Sequence, residues 1–184
     1  MDEGKRARLV ELLRERSFER KKVILASGKE SDFFIDCKQT ILTAEGHALS
    51  GELLFELIRE LPPADAVAGV ELGGCPLASA VSLVSFQHGK PLPAFYVRKE
   101  RKDHGSAKLV EGDRSLRPGI RVALLEDVIT TGGSSLKAVD ALKKAGAEVV
   151  GIAALVDRLE GGADTIRAAG LPLVSLASRR DFMG

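Results

Sequence analysis

One stretch decides the fold of this chain: Val122-Ala123-Leu124-Leu125-Glu126-Asp127-Val128-Ile129-Thr130-Thr131-Gly132-Gly133-Ser134-Ser135. It opens with a short apolar run after a Pro-Gly turn, and such a run predicts a strand that is buried on both faces. Two carboxylates and a loop of small and hydroxyl residues follow. A helical pattern then begins, with apolar residues at Leu136, Val139 and Leu142 and an expected stop at Gly146. The stretch therefore predicts a strand, a tight loop and a helix.

The predicted loop has the features of an anion site. Backbone N–H groups converge at a helix N-terminus, the helix dipole favours negative charge, and glycines let a phosphate approach the main chain. The loop is not a Walker A sequence, because no Lys follows its glycines, and it lacks the Gly-x-Gly-x-x-Gly pattern of dinucleotide sites.

The adjacent acids Glu126 and Asp127 distinguish this loop from other phosphate loops. Carboxylates repel a phosphate unless a cationic or polyhydroxylated group lies between them. A ribose 5-phosphate meets that need, with its phosphate in the loop and its hydroxyls on the acids. The alternative is an ordinary strand-to-helix turn whose acids cap the helix, but this alternative leaves paired acids at a buried strand end unexplained.

Size and charge indicate one globular domain over residues 1–184. With 27 basic and 26 acidic residues, the chain is not predicted to bind nucleic acid or a membrane surface. No apolar run approaches the roughly 18 residues that span a bilayer, and the N-terminus lacks the apolar segment of a signal peptide. Cys37 and Cys75 have no metal-ligand spacing and are too few for a disulfide scaffold. We therefore expect a cytoplasmic protein.

Strand and helix patterns alternate along the chain. Predicted helices cover residues 2–16, 44–60, a segment that opens at 76, the segment before Gly146, and residues 163–169. Predicted strands cover residues 23–25, 31–36, 66–70, 94–97, 120–125, 148–156 and 173–176. This alternation predicts a parallel sheet covered on both faces, with ligands at the carboxyl ends of its strands. The pieces before residue 45 and after residue 160 are expected to form a small lobe over that edge.

Residues 96–105 concentrate four basic residues and one His within seven positions. Apolar periodicity vanishes between residues 98 and 117, which predicts a mobile surface segment. The plain interpretation is a solvated charge run. The alternative is a closing loop whose Lys, Arg and His neutralise a diphosphate leaving group. The position of the segment, between the strand at 94–97 and the phosphate loop, favours the second interpretation.

Four segments resemble known motifs. The stretch at 122–134 resembles the 5-phosphoribosyl 1-diphosphate (PRPP) motif of the phosphoribosyltransferases. The pattern Arg-Lys-x-x-Lys-x-His-Gly, formed by Arg98, Lys99, Lys102, His104 and Gly105, is similar to the catalytic loop of the orotate phosphoribosyltransferases. Residues 31–36 resemble the orotate-contacting strand of that family, and Val156-Asp157-Arg158 resembles its Asp-Arg substrate motif. The resemblance runs from about residue 23 to 160.

The resemblance implies an α/β fold of the type I phosphoribosyltransferase class, with a parallel sheet, helices on both faces and a small N-terminal hood lobe. That lobe would comprise about residues 1–44, with a contribution from residues 160–184. The implied reaction is Mg²⁺-dependent transfer of the 5-phosphoribosyl group from PRPP to orotate, which gives orotidine 5′-monophosphate and diphosphate in pyrimidine biosynthesis. The family works as a homodimer in which the loop from Arg98 to Gly105 reaches the neighbour's active site.

The resemblance also implies residue roles. The implied PRPP-binding residues are Arg98, Lys99, Lys102, His104, Glu126, Asp127, Val128, Ile129, Thr130, Thr131, Gly132, Gly133 and Ser134. The implied catalytic residues among them are Lys99, Lys102, His104 and Asp127. The implied orotate-binding residues are Phe34, Ile35, Thr130 and Arg158, and Leu72 and Gly73 form the diphosphate turn. Mg²⁺ is expected to bind through the diphosphate and water, without a direct protein ligand.

Several alternatives stay open at this point. Arg158 could form an ion pair with Asp157 or Glu160, and Phe34 and Ile35 could serve core packing. Many family members have a lysine where this chain has Ala26, and another in the turn that here contains Leu72 and Gly73. Glu71 in that turn could meet a metal-bound water or cap the following helix.

Two other functions also remain open. A regulatory PRPP-binding protein would not need Lys and His at the spacing of the catalytic loop. A phosphoribosyltransferase for purines would not need Arg158, because purine rings carry no carboxylate.

Overall fold

A computed structural model describes residues 1–24, 30–100 and 108–183, and it describes Val23 and Ile24 by their backbone alone. Its central sheet is built from β5 (Ala66–Val70), β6 (Ala94–Val97), β7 (Val110–Glu111), β8 (Arg121–Ile129), β9 (Glu148–Asp157) and β10 (Leu173–Ser178). The strand order is β10-β9-β8-β5-β6-β7. Strand β7 is antiparallel to β6, and all the other neighbours are parallel. The predicted parallel sheet is confirmed.

Helices cover both faces of this sheet. They are α3 (Ala44–Leu57), α4 (Gly74–Gln87), α5 (Gly133–Lys144) and α6 (Gly162–Ala168), with 3₁₀ turns at Ile58–Glu60 and Asp113–Ser115. Successive side chains of β8 point to opposite faces. Leu125 belongs to the same buried cluster as Leu77 of α4, whereas Leu124 belongs to the cluster of Leu142 of α5. Burial on both faces is why β8 and β9 are almost continuously apolar.

The connections bring several loops to one edge of the sheet. Helix α4 links β5 to its parallel neighbour β6, helix α5 links β8 to β9, and helix α6 links β9 to β10. Parallel neighbours joined in this way have their carboxyl ends on the same side. The turns after β5, β6, β8 and β9 therefore share that side.

The N-terminal segment packs beside the sheet. Its elements are α1 (Glu3–Arg16), β1 (Phe18–Glu19), β2 (Val23–Ile24), β3 (Glu30–Ser31), β4 (Phe34–Ile35) and α2 (Lys38–Ile41), and the last helix of the chain is α7 (Arg180–Met183). Strands β1 and β4 form one antiparallel pair, and β2 and β3 form another. The rings of Phe18, Phe33 and Phe182 lie 5.0 to 5.7 Å apart and join α7 to this segment. Residues 160–184 were expected to contribute to the hood lobe, but β10, which belongs to this range, lies in the central sheet. The extent of the hood lobe stays a prediction.

Three local predictions differ from the structure. The strand expected over residues 31–36 is split between two separate ribbons, because Ser31 pairs with β2 and Ile35 pairs with β1. Strand β8 continues past the acids to Ile129, because β9 supplies ladder partners as far as Asp157. Residues 108–117 are not a mobile segment: Val110 is buried and pairs with Val97. A two-residue strand shows no periodicity from which it could have been predicted.

The short helices α2 and α7 were not predicted either. In the part of the chain that the structure describes, no helix has the length and apolar content needed to cross a bilayer.

Candidate active site

The turns at the carboxyl edge are tied together by main-chain hydrogen bonds. The N–H of Arg158, just after β9, donates to the carbonyl of Ile129 at the end of β8, at 3.0 Å. The N–H of Glu71, just after β5, donates to the carbonyl of Val97 at the end of β6, at 2.9 Å. The ends of β8 and β9 are thus fixed to each other, as are the ends of β5 and β6. Most of the predicted site residues lie at the end of β8 or on the loops that follow these strands.

The predicted phosphate loop connects β8 to the N-terminus of the twelve-residue helix α5. Gly132, the residue before α5, has a φ of +81°, a conformation that favours glycine. A Cβ at this position would also lie 3.1 Å from the carbonyl oxygen of Gly162. Thr131, Gly133 and Ser134 are exposed. An anion can therefore reach the unpaired N–H groups of the first helical turn.

Glu126 lies at the buried end of the site and is only 4% exposed. Its Oε1 accepts a hydrogen bond from the Ser135 hydroxyl at 2.8 Å. Burial raises the pKa of Glu126 to about 7, the nearby Asp127 carboxylate adds to the rise, and the Ser135 hydrogen bond opposes it. At physiological pH, a carboxyl group with this pKa is present in both its neutral and its charged form.

Asp127 is half-buried and lies against the predicted diphosphate turn. Its Oδ1 accepts a hydrogen bond from the N–H of Val128 at 2.9 Å. Burial raises the pKa of Asp127 above its ordinary value, and the positive charge of Lys38 opposes that rise. A Cβ built on Gly73 would lie 2.0 Å from Oδ2 of Asp127. The turn therefore has no room for a side chain at Gly73 while Asp127 keeps this position.

Lys38 is a neighbour of Asp127 that the sequence did not indicate. It begins α2, directly after Cys37, whose Sγ lies 3.8 Å from the carbonyl oxygen of Asp127. Its Nζ lies 2.5 Å from Oδ1 of Asp36, and this carboxylate raises the pKa of Lys38. A charged lysine is thus held beside the second of the two acids. The separation of about ninety residues along the chain explains why no local pattern revealed it.

The predicted diphosphate turn is fixed to the start of the basic segment. Oε1 of Glu71 accepts a hydrogen bond from the N–H of Lys99 at 2.8 Å. Glu71 does not cap α4, because the residue before that helix is Gly73, and the helix has no side-chain cap. Leu72 projects outward and is 67% exposed. The carboxylate of Glu71 therefore orients the loop rather than the helix.

The structure describes the basic segment only at its two ends. Lys99 is exposed. Nη1 of Arg98 lies 3.3 Å from Oε1 of Glu111 on β7, and Nε of Arg98 is buried without a hydrogen-bond partner among the described residues. Lys102, His104 and Gly105 lie outside the described residues, as does Ala26. Their predicted roles stay predictions.

Arg158 is buried at the other side of the site, with 7% of its surface exposed. Its Nη2 donates to the carbonyl oxygen of Phe33 at 2.7 Å and lies 2.9 Å from Oε1 of Glu160. The ion pair with Glu160 considered from the sequence is present, and it is a buried one. Phe34 is half-buried under Nζ of Lys21, which is 3.9 Å from the centre of its ring, whereas Ile35 is buried in the core.

Residues 40–167 match the family model of the phosphoribosyl transferase domain. The orotate phosphoribosyltransferase of Sorangium cellulosum (strain So ce56) is 73% identical over 180 residues, which cover 98% of this chain and 94% of that protein. The orotate phosphoribosyltransferase of Bradyrhizobium sp. (strain BTAi1 / ATCC BAA-1182) is 45% identical and covers 97% of each chain. The chain belongs to the orotate phosphoribosyltransferase family.

A solved structure of the same family has the same fold. The crystal structure of Mycobacterium tuberculosis H37Rv orotate phosphoribosyltransferase in complex with 5-phospho-alpha-D-ribosyl 1-diphosphate matches this chain with a TM-score of 0.79. The two are 39% identical over 97% of this chain and 98% of that one. Family membership and this match confirm the predicted type I fold and the predicted enzyme class, a pentosyltransferase of the orotate family.

Most of the residues that the family resemblance singled out meet at one edge of the sheet. The acids lie near the end of β8, and the predicted phosphate loop, the predicted diphosphate turn, Lys99 and Arg158 follow strand ends on the same side. Lys38 and Ser135 were missed, and Glu160 was considered only as a partner of Arg158. Within residues 1–24, 30–100 and 108–183, no three side chains of His, Cys, Asp or Glu are grouped so that they could hold a metal ion.

Proposed function

We propose that this orotate phosphoribosyltransferase family member binds PRPP across the loop after β8 and places orotate between that loop and Arg158. The observation that carries the proposal is that the paired acids at the end of β8, the open N-terminus of α5 and the buried Arg158 after β9 all lie at the same edge of the sheet. PRPP has a 5-phosphate, a ribose and a diphosphate, and orotate has a carboxylate. Each of these groups has a chemically matched partner along the edge.

The loop after β8 would hold the 5-phosphate. Thr130, Thr131, Gly132, Gly133 and Ser134 supply hydroxyl and backbone N–H donors at the positive end of α5. Val128 and Ile129 set the path of the chain into the loop, because Ile129 is buried at the last position of the strand. The loop is therefore anchored at its start and accessible in its middle.

Glu126 and Asp127 would accept hydrogen bonds from the ribose hydroxyls. Orotate nitrogen attacks C1 of the ribose as diphosphate leaves, so positive charge develops on the sugar. Preorganised carboxylates stabilise such charge most strongly in a site from which water is largely excluded. The burial that raises the pKa of both acids is also what strengthens their interaction with the sugar.

Lys99, Lys102 and His104 would neutralise the leaving diphosphate, and Leu72 and Gly73 would approach it through their backbone. Mg²⁺ commonly binds through water and substrate phosphates, and here the diphosphate itself would supply its ligands, without a direct protein ligand. Bound to the diphosphate, Mg²⁺ would neutralise part of its charge. The chain lacks a side chain at Gly73, so more of the positive charge must come from Lys99 and the loop that follows it.

Arg158 would recognise the orotate carboxylate, with Thr130 and the backbone of Phe34 and Ile35 at the pyrimidine edge. A planar guanidinium binds a carboxylate through two parallel hydrogen bonds. Bases that lack a carboxylate would leave this buried arginine without its ligand, which favours orotate over uracil and purines.

A homodimer is supported by an apolar surface beside the basic segment. Leu72, Leu83, Phe86 and Tyr96 are 67%, 57%, 72% and 37% exposed. Leu83 and Phe86 lie on α4, and Tyr96 lies on β6, two residues before Arg98. Exposed apolar groups of this size are typical of protein interfaces. A second copy that covers this surface would bring the loop from Arg98 to Gly105 towards the partner's site, as predicted for the family. The cytoplasmic location and the absence of a nucleic-acid partner stay predictions.

An absorbance assay with PRPP and Mg²⁺ tests the reaction. Orotate should be consumed in a diphosphate-releasing reaction, whereas uracil and hypoxanthine in parallel assays should not react. Turnover of hypoxanthine or uracil in preference to orotate would overturn the assignment of Arg158 as the carboxylate receptor.

A further inference from the structure

The guanidinium of Arg158 has no free hydrogen on the nitrogen that a ligand would need. Its Nη2 donates to the carbonyl oxygen of Phe33 at 2.7 Å and lies 2.9 Å from Oε1 of Glu160. This nitrogen carries two hydrogens. The carbonyl of Phe33 and the hydroxyl of Ser31, at 3.3 Å, accept both, and Oε1 of Glu160 lies against the same nitrogen as its ion-pair partner.

A carboxylate that binds a guanidinium in the bidentate manner always uses Nη2. One fork joins Nη2 to Nη1, and the other joins Nη2 to Nε. Nε of Arg158 is buried and has no hydrogen-bond partner among the described residues, and the same is true of Oε2 of Glu160. Glu160 thus forms an ion pair at the nitrogen that both forks share, and Nε stays without a partner within the described ranges.

The charges of the pair also oppose a second carboxylate. The side chains of Arg158 and Glu160 are only 9% and 13% exposed. A ligand carboxylate would place two anions on one buried cation, and a buried charge without its own partner is strongly unfavourable. Binding of the ligand and retention of Glu160 at Nη2 therefore exclude each other.

The backbone between Arg158 and Glu160 has an unfavourable conformation. Leu159 has a φ of +57°, the single positive value for a residue other than glycine in the described part of the chain. This left-handed conformation is uncommon for Leu and costs free energy. Leu159 is also 47% exposed, so its side chain is not held in a core. Release of Glu160 would let this turn relax.

We infer that Glu160 is a resident carboxylate, which occupies the ligand position on Arg158 in the free enzyme and leaves it when the carboxylate of the pyrimidine binds. The inference rests on the proposed function, which places orotate at Arg158. It adds a basis for specificity: a base that has no carboxylate cannot replace Glu160 and so cannot bind the buried guanidinium.

The first test is the variant Glu160→Gln, which removes the competing charge and keeps the size of the side chain. The KM for orotate should fall roughly three- to tenfold, because a larger fraction of the enzyme has Arg158 free to bind. The KM for PRPP should stay unchanged. Asp164→Asn is the matched control, since Asp164 pairs with Arg167 and its side chain is 87% exposed. A KM for orotate that rises or stays the same in Glu160→Gln would overturn the inference.

The second test does not depend on a variant. A crystal structure of the wild-type enzyme with orotate should show the ligand carboxylate on Arg158, with Glu160 beyond hydrogen-bond distance of Nη2. A ligand carboxylate on Arg158 with Glu160 still in place would overturn the inference and leave the proposed function standing. Failure of the wild-type enzyme to turn over orotate would instead overturn the proposed function.

Discussion

Replacement of Glu126 by Gln should make the protein more stable at pH 8 and nearly inactive. Glu126 is 4% exposed, and burial raises its pKa from an ordinary value near 4.5 to about 7. The folded protein thus binds this proton more tightly than the unfolded chain does. The stability contributed by Glu126 therefore falls as pH rises from about 4.5 to about 7, and it stays low above that range.

The size of the effect follows from the two pKa values. A rise from 4.5 to about 7 corresponds to about 3 kcal/mol of lost stability at pH 8. Gln resembles the protonated form and can still accept the hydrogen bond from Ser135, so Glu126→Gln should recover most of this loss. For a chain of this size, that recovery raises the Tm by roughly 5–10 °C. At pH 4.5 the Tm values of the variant and the wild type should be similar.

Thermal unfolding at pH 4.5 and pH 8, with activity measured at pH 8, checks this prediction. Glu60→Gln is a suitable control, because Glu60 is exposed and its substitution should change the Tm equally little at both pH values. The reasoning is refuted if Glu126→Gln changes the Tm by the same amount at pH 4.5 and pH 8. It is also refuted if the variant is less stable than the wild type at pH 8.

Asp127→Asn should lower kcat/KM by orders of magnitude with little change in Tm, since its proposed work is on the charged sugar; comparable losses in both would indicate a structural acid. Lys38→Gln should move the acidic limb of the kcat/KM profile to higher pH, because the cation that opposes the raised pKa of Asp127 is lost, whereas Lys137→Gln on the exposed side of α5 should leave the profile unchanged. Gly73→Ala should lower kcat/KM in steady-state assays, because its Cβ would lie 2.0 Å from Oδ2 of Asp127, and unchanged kinetics would show that Asp127 can move freely. If the loop serves the neighbouring subunit, mixing inactive Lys102→Ala and Asp127→Asn proteins should restore up to about a quarter of wild-type activity, and verified subunit exchange without recovery would exclude shared sites.

The local sequence was sufficient to predict the long strands and helices. Strands β5, β6 and β9 are each marked by an apolar run with a turn on either side, and α1 and α3 are marked by apolar residues at helical spacing. These signals are local, because a strand that is buried on both faces must be apolar at almost every position. The paired acids and the loop after β8 were informative for the same reason, since their chemistry is contained within a dozen consecutive residues.

Short elements were not predicted, because they are stabilised by pairing with segments that are distant in the sequence. Strand β7 has two residues and exists through its pairing with β6, and the residues expected to form one strand over 31–36 are divided between two ribbons. Neither feature has the length that periodicity requires.

The sequence by itself determined the fold class and, through the acids and the predicted phosphate loop, the family. Only the tertiary structure decided which side chains meet those acids: Ser135 on Glu126, Lys38 beside Asp127, and Glu160 on Arg158. The physical reason is that the hydrophobic pattern specifies which face of an element is buried. Contacts between polar side chains depend instead on strand register and on the angle at which each loop leaves the sheet, and these are fixed only when the whole chain has packed.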